Sequence, residues 1–338
     1  MTTSPNGSVV SAETGIRVGT AIPSIPSRPL AAAERRQALS RIADAGLDHV
    51  MFGDHVSFYG GFGMDGLIQA AASLGCRPEL GAYIGVYLLP LRHPVPVARQ
   101  LSDLADLAPG KLTLGVGIGG EDRHEVAASG VDPATRGKRM DESLAVLRSL
   151  LAGDRVTLHG AHINLDDVLV RPVPTQPIPL IVGGRSHAAL DRAARLGDGW
   201  LGIWVSPSRF AASTATIAAR AEEAGRETAT WSHGLNVWCG LASDRNSARA
   251  AVAEAMQAMY RLPFEKFERY SPFGSAADVA GFLAPYVAAG CTTFNLIPCG
   301  EDLDTVTGMA SEIQGLLTAD RHLDQVPVAS AEDRPHVA

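Results

Sequence analysis

Cysteine is scarce in this chain of 338 residues: Cys76, Cys239, Cys291 and Cys299 are the only four, and none stands at CxxC spacing. A zinc site or a disulfide framework therefore has no support, and a reducing cytoplasm is the default compartment. Lysine is scarce too, no basic run occurs, and the net charge is −7. That balance does not describe a surface for nucleic acid or an anionic membrane. Long apolar runs are also missing; the longest have strand length, far below the ~20 residues of a membrane span. The opening MTTSPNGSVVSAETG lacks a basic flank and an apolar segment, so residues 1–14 read as a disordered leader rather than a signal peptide.

What is present is alternation. Hydrophobic residues make up 46% of the chain, enough for one large core. From Ile16 to about Leu317, short runs rich in Val, Ile and Leu alternate with amphipathic segments. The runs at 16–23, 49–55, 80–89, 111–120, 178–184, 199–205, 233–242 and 291–299 read as strands. Between them, Met140, Leu144, Leu147 and Leu151 keep helical spacing, as do Val97, Leu101, Leu104 and Ala108. Gly46, Pro109–Gly110, Gly225 and Gly290 are stop signals, and Asp244 and Ser275 are candidate N-caps. Eight strands with continuous apolar runs, separated by helices, argue a parallel sheet covered by helices. Eight repeats favour a closed (β/α)8 barrel over an open doubly wound sheet. The chain exceeds a simple barrel, so residues 56–66, 120–137 and 153–177 are read as insertions, the last as a short hairpin. One domain over residues 15–320 and a tail over 321–338 complete the organisation.

In such a barrel the chemistry sits where strands end. The second strand ends in Asp54 and His55. Histidine titrates nearest neutrality and is the natural proton carrier, and the acid could orient it or bond a ligand. The alternative is a helix cap beside a satisfied buried imidazole. The fourth strand leaves through GVGIGGED, with glycines at 115, 117, 119 and 120 that allow close backbone approach to a ligand. Its spacing is not the dinucleotide fingerprint. The fifth leaves through Gly183 and Gly184 into a helix start carrying Arg185, Ser186 and His187, a combination suited to phosphate. A simple strand-to-helix turn is the alternative. Trp200 and Trp204, at the sixth strand, are either core or pocket wall.

The stretch from LGAYIGVYLLPLRHP through GVGIGG, Glu125 and RMDESL, followed by PIPLIVGG and GDGW, resembles the bacterial luciferase-like oxidoreductases over roughly residues 15–320. The resemblance implies a (β/α)8 barrel that holds FMN or a deazaflavin at the C-terminal face. Asp-His after strand two is similar to the branch that uses the deazaflavin coenzyme F-420 (F420). Carried over, Asp54 contacts the cofactor and His55 is the general acid or base. A non-proline cis peptide is implied at Gly85–Val86, behind the ring. Leu88 stands where some relatives place a polar cofactor contact. Gly117, Ile118, Gly119 and His124 would border the cofactor, and Gly183, Gly184, Ser186 and His187 its phosphate. Glu121 matches the acid that takes a catalytic proton in some members. Arg99, Arg136 and Arg139 match basic positions and read as ion-pair partners.

The function so implied is hydride transfer between F420 and a small, fairly hydrophobic organic substrate. The lysines that bind sugar phosphate in some members have no match here, only Lys266 lying in the later loops, which argues against a sugar-phosphate substrate. An FMN monooxygenase served by a separate reductase, and a non-catalytic partner subunit, are the rival readings. A homodimer is what the resemblance implies; no metal is expected.

Overall fold

The computed structural model describes residues 15–22, 30–120, 122–300 and 302–324, with side chains to residue 319. Eight parallel strands form its centre: β1 (Arg17–Ala21), β2 (His49–Phe52), β3 (Gly81–Tyr87), β4 (Leu112–Val116), β5 (Leu180–Gly183), β6 (Gly199–Ile203), β7 (Gly234–Leu241) and β8 (Thr293–Cys299). They pair in the order β6-β5-β4-β3-β2-β1-β8-β7, and a further parallel pairing of β6 with β7 closes the ring. That last pairing excludes an open sheet; the fold is the (β/α)8 barrel. Eight helices cover it: α1 (Ala32–Asp44), α2 (Gly66–Cys76), α3 (Pro94–Leu107), α4 (Arg136–Ala152), α5 (His187–Leu196), α6 (Pro207–Glu223), α7 (Ala276–Ala288) and α8 (Leu303–Asp324). Among the described residues no helix is long and apolar enough to cross a membrane.

The apolar spacing explains the layers. Val97, Leu101 and Leu104 of α3 and Met140, Leu144 and Leu147 of α4 are buried against the outer faces of the strands. The α4 stripe continues at Leu150, one residue before the Leu151 expected, and Gly153 at φ 86 ends the helix in the left-handed region. Fully burying one such Leu, Ile or Val contributes about 1.5–3 kcal/mol. Asp244 caps the helix Arg245–Tyr260 by accepting from Ser247 N at 2.7 Å. Ser275 caps α7 in a reciprocal box with Asp278.

Two insertions are antiparallel hairpins. His55–Phe58 pairs with Phe62–Met64, and Val156–His159 with Asn164–Val168. The 120–137 segment supplies a short helix, Arg123–Ala128. The helix Arg245–Tyr260 is an additional element before α7. The last helix runs through Asp324, so the tail expected from residue 321 begins later. No glycine or proline interrupts the chain between Gly315 and Pro327. The leader at 1–14 and residues 325–338 lie outside the described residues.

The barrel interior holds a small apolar plug, Met51, Tyr83, Ile181 and Leu201, and beside it a polar ladder. His49 Nε2 bonds Asn295 Oδ1 at 2.6 Å, Asn295 Nδ2 donates to Asn236 Oδ1 at 2.8 Å, and Asn236 Nδ2 donates to Gly85 O at 3.0 Å. The ladder climbs from the start of β2 to the end of β3. Burial, with a contribution from Arg17, holds the His49 imidazole down to about 3, and burial holds His233 down to about 4.

At the upper end the peptide Gly85–Val86 is cis, and the β3–β4 register shifts between Ile84 and Tyr87. Val86 fills the space above three glycines' neighbours. A Cβ on Gly117 would lie 2.4 Å from Val86 Cγ2, and one on Gly183 2.8 Å from Val86 Cγ1; one on Gly115 would lie 2.5 Å from Ile84 O. These glycines are therefore explained by packing.

Two outcomes follow. Gly117→Ala drives a methyl into the stiff β-branched Val86 and should cost about 1–3 kcal/mol, part of it recovered in Gly117→Ala/Val86→Ala; urea melts of the three proteins check this. In the unfolded chain both histidines titrate near 6.5, whereas in the fold they stay neutral to about 3 and about 4. Protons then favour the unfolded state below pH ~6.5, and each histidine removes about 1.4 kcal/mol per pH unit until its folded value is reached. Melting should be insensitive to these groups above pH 7 and fall toward pH 4, less steeply in His233→Asn.

Candidate active site

Beyond β2 the chain passes through Gly53 to Asp54 and His55, which take different partners as neighbours in extended backbone do. Asp54 is buried. Its Oδ1 accepts from Gly66 N at 3.1 Å and Arg92 Nη2 at 2.9 Å; its Oδ2 accepts from Leu88 N at 2.8 Å and Arg92 Nη1 at 2.6 Å. Burial raises the Asp54 carboxyl against the opposing pull of Arg92 and the two amides. The protein itself thus uses both oxygens. The structure gives Asp54 the task of tying the β2 exit to α2 and to the β3 exit. Leu88 takes part through its backbone, and its side chain is buried.

His55 turns the other way. Its Nδ1 lies 3.0 Å from Glu125 Oε2 and 3.2 Å from Oε1. Glu125 Oε1 also accepts from Val56 N at 2.7 Å and Ser57 N at 3.1 Å. Burial pushes the Glu125 carboxyl up, but the His55 bond and charge and the two amides outweigh it and hold the group below the usual carboxylate range. Among the described residues the His55 ring has no other hydrogen-bond partner; it is 22% exposed and packs 4.1 Å from the ring of Phe58. An ionised carboxylate only accepts, so the imidazole proton belongs on Nδ1 and the basic lone pair on Nε2.

Glu125 is the residue that sequence reasoning did not assign. The acid expected at this loop, Glu121, lies outside the described residues. The signal was available: Asp122 and Glu125 stand at N-cap and N3 spacing. Asp122 caps the short helix, Oδ1 accepting from His124 N at 2.9 Å, while Oδ2 accepts from Tyr59 N at 2.9 Å. The two acids together hold the hairpin after β2 against the loop after β4.

The fourth and fifth strand exits lie at the same face. Ile118 is half-buried and Gly119 is left-handed at φ 67. Gly184, at φ 121, leads into α5, whose Ser186 cap accepts from Ala189 N at 3.2 Å. Arg185 and Ser186 line a cavity of about 450 Å³ with Trp204, Ser206 and Arg209. A second cavity, about 320 Å³, shares Arg185 and Trp204 and adds Tyr59, Tyr260, Lys266 and Arg269. Gly183, packed against Val86, and the exposed imidazoles of His124 and His187 are not among the described residues that line these cavities. Trp200 is core: it is fully buried, and its indole N–H donates to Gly184 O at 2.7 Å. Trp204 is pocket wall. Among the described residues, only Arg99 of the three arginines read as ion-pair partners makes a pair, with Asp103 at 3.4 Å. Arg136 and Arg139 donate to the carbonyls of Pro133 at 3.1 Å and Pro90 at 3.4 Å.

Residues 7–282 match the family model of luciferase-like monooxygenases. An uncharacterised protein of Mycobacterium tuberculosis (strain ATCC 25618 / H37Rv) is 40% identical over 141 residues, 42% of this chain and 48% of that one. The F420-dependent glucose-6-phosphate dehydrogenase of Beutenbergia cavernae is 36% identical over 165 residues, 46% of this chain and 48% of that one. The chain thus spans about half the length of the curated relatives it matches. A solved F420-dependent secondary alcohol dehydrogenase, in complex with an F420-acetone adduct, aligns with a TM-score of 0.78 at 18% identity over 90% of this chain and 99% of that one, a likeness of fold. With the closed barrel and the matched span agreeing, the chain belongs to the luciferase-like monooxygenase family.

Proposed function

We propose that this chain is an F420-dependent oxidoreductase that transfers a hydride between the deazaflavin and a small organic substrate, with His55 handling the proton. The observation that carries the reading is the His55–Glu125 pair, 3.0 Å apart at the C-terminal rim, beside two glycine exits. The relatives named for F420 support the choice of cofactor.

The residues present fit such a group. Left-handed Gly184, the α5 N-terminus, Arg185 and Ser186 border a cavity that suits a phosphate. Among the described residues the buried indole N–H of Trp204 has no partner. Gly85 and Val86 would lie under the ring, with Ile118 and Gly119 at its side. When bound, the deazaflavin supplies a carbon that accepts or releases hydride and reacts poorly with oxygen. The chain does the rest. Glu125 keeps the proton of His55 on Nδ1. Nε2 is then free to take the hydroxyl proton as an alcohol carbon loses hydride, and to return it in the reverse direction. Asp54 holds Arg92 and the Leu88 amide so that the exits of β2 and β3 stay in register.

The rival reading, reduced FMN with oxygen, is separated by titration. F420 should bind at least about ten-fold more tightly than FMN, a gap of about 1.4 kcal/mol; tight FMN binding without F420 affinity contradicts the proposal. With an alcohol found by screening for F420 reduction, His55→Ala should lower turnover at least ~100-fold while F420 affinity holds. Glu125→Gln, which frees the tautomer, should lower it at least ~10-fold. Unchanged rates in both would assign the proton step to another group, or the chain to a non-catalytic role.

A further inference from the structure

The second cavity carries two cations, Lys266 and Arg269, beyond the Arg185 given above to the cofactor. Arg185, Lys266 and Arg269 line it, Arg209 lines the adjoining one, and among the described residues none of the four makes an ion pair. The acids of the same segment look elsewhere: Glu268 Oε1 accepts from Arg249 Nε at 2.7 Å, and Glu265 lies in the field of the same Arg249. Uncompensated cations around a concavity raise the local concentration of anions.

The rest of the wall is aromatic. Trp204 and Tyr260 meet edge to face at 5.0 Å, and Trp204 lies 4.8 Å from Phe267. The Arg185 guanidinium sits 5.6 Å from the centre of the Trp204 ring. Phe58 joins this wall to the proton carrier, 4.1 Å from His55 and 6.3 Å from Tyr260.

The backbone is strained at the same place. Four described non-glycine residues have left-handed φ, and three of them, Tyr59 at 28°, Trp204 at 50° and Arg261 at 54°, stand around this mouth. Such conformations cost of order 1–3 kcal/mol each and gather at ligand clamps. The strain is fastened from outside: Arg261 Nη2 donates to Tyr59 O at 2.5 Å, and Tyr286 donates to Val205 O at 2.6 Å, next to Trp204. Among the described residues the buried indole nitrogens of Trp204 and Trp238 have no partner.

We propose that this mouth takes an anionic substrate with a flat apolar body, a carboxylate or phosphate ester on a planar ring system. Lys266 and Arg269 hold its charge, and Trp204 and Tyr260 hold its ring. The assignment of this anion to the substrate rests on the hydride-transfer reading above, in which the Arg185–Ser186 cavity is left to the cofactor. A cavity of about 320 Å³ is at the lower end of the range for small-molecule sites. It replaces a merely hydrophobic substrate by an acidic one.

Calorimetric titration of the full chain with 2-naphthoate and with uncharged 2-naphthamide tests this, with and without F420. The acid should bind at least about ten-fold more tightly than the amide. In Lys266→Ala/Arg269→Ala, two exposed positions, the gap should fall below about two-fold while F420 affinity stays within about two-fold. Equal binding of acid and amide overturns the proposal, as does a gap that survives the double substitution. Loss of F420 affinity in that variant, with the gap intact, overturns it by assigning the cations to the cofactor's own anionic groups. If the unsubstituted chain fails to bind F420, the proposed function falls, while the naphthoate comparison is still read on the cofactor-free protein.

Discussion

One buried carboxylate organises the working face of this barrel. Glu125 gathers the imidazole of His55 and the amides of Val56 and Ser57 on two oxygens. A carboxylate at this depth is tolerated only when its lone pairs are met, and here three donors meet them. The same bonds fix the entry of the hairpin that follows β2 and the tautomer of the ring beside it. Position and chemistry are therefore set by a single group. A second tie between the hairpin and the loop after β4 runs from Tyr59 N to Asp122 Oδ2.

Beneath that face the interior is built to hold the strand exits still. The ladder from His49 through Asn295 and Asn236 ends on the Gly85 carbonyl, and the Asp54–Arg92 pair with the Leu88 amide grips the same strand three residues on. Val86 lies between these anchors and occupies the volume that side chains at 117 and 183 would need. A rigid scaffold is what a site that positions a ring requires.

The barrel was legible because its signal is repetitive: eight apolar runs, each spaced from the next by helical periodicity, left closure as the only topological question. Caps at Asp244 and Ser275 were legible because they rest on local chemistry. The site was legible only in part. Asp54 and His55 were correctly placed at the rim, yet spacing says nothing about which way each side chain turns, and Asp54 turned inward to Arg92. Gly117 and Gly183 read as ligand-approach glycines, whereas Val86, thirty or more residues away, explains them. Glu125 was hidden because its partner is seventy positions distant, although the Asp122–Glu125 spacing marked the helix start that carries it. Of the left-handed residues Tyr59, Trp204 and Arg261, only Tyr59 stands beside glycines, Gly60 and Gly61; no glycine flanks Trp204 or Arg261 on the side of the turn.

The central claim is that a deazaflavin is seated beside an imidazole whose free nitrogen faces the reacting carbon. A crystal structure of the chain with F420 tests it most directly. The account predicts the tricyclic ring over Gly85–Val86, the phosphate near Arg185 and Ser186, and His55 Nε2 on the side of the carbon that exchanges hydride, with Glu125 still on Nδ1. A ring bound elsewhere, or one that leaves His55 facing solvent or the cofactor's tail, would contradict it.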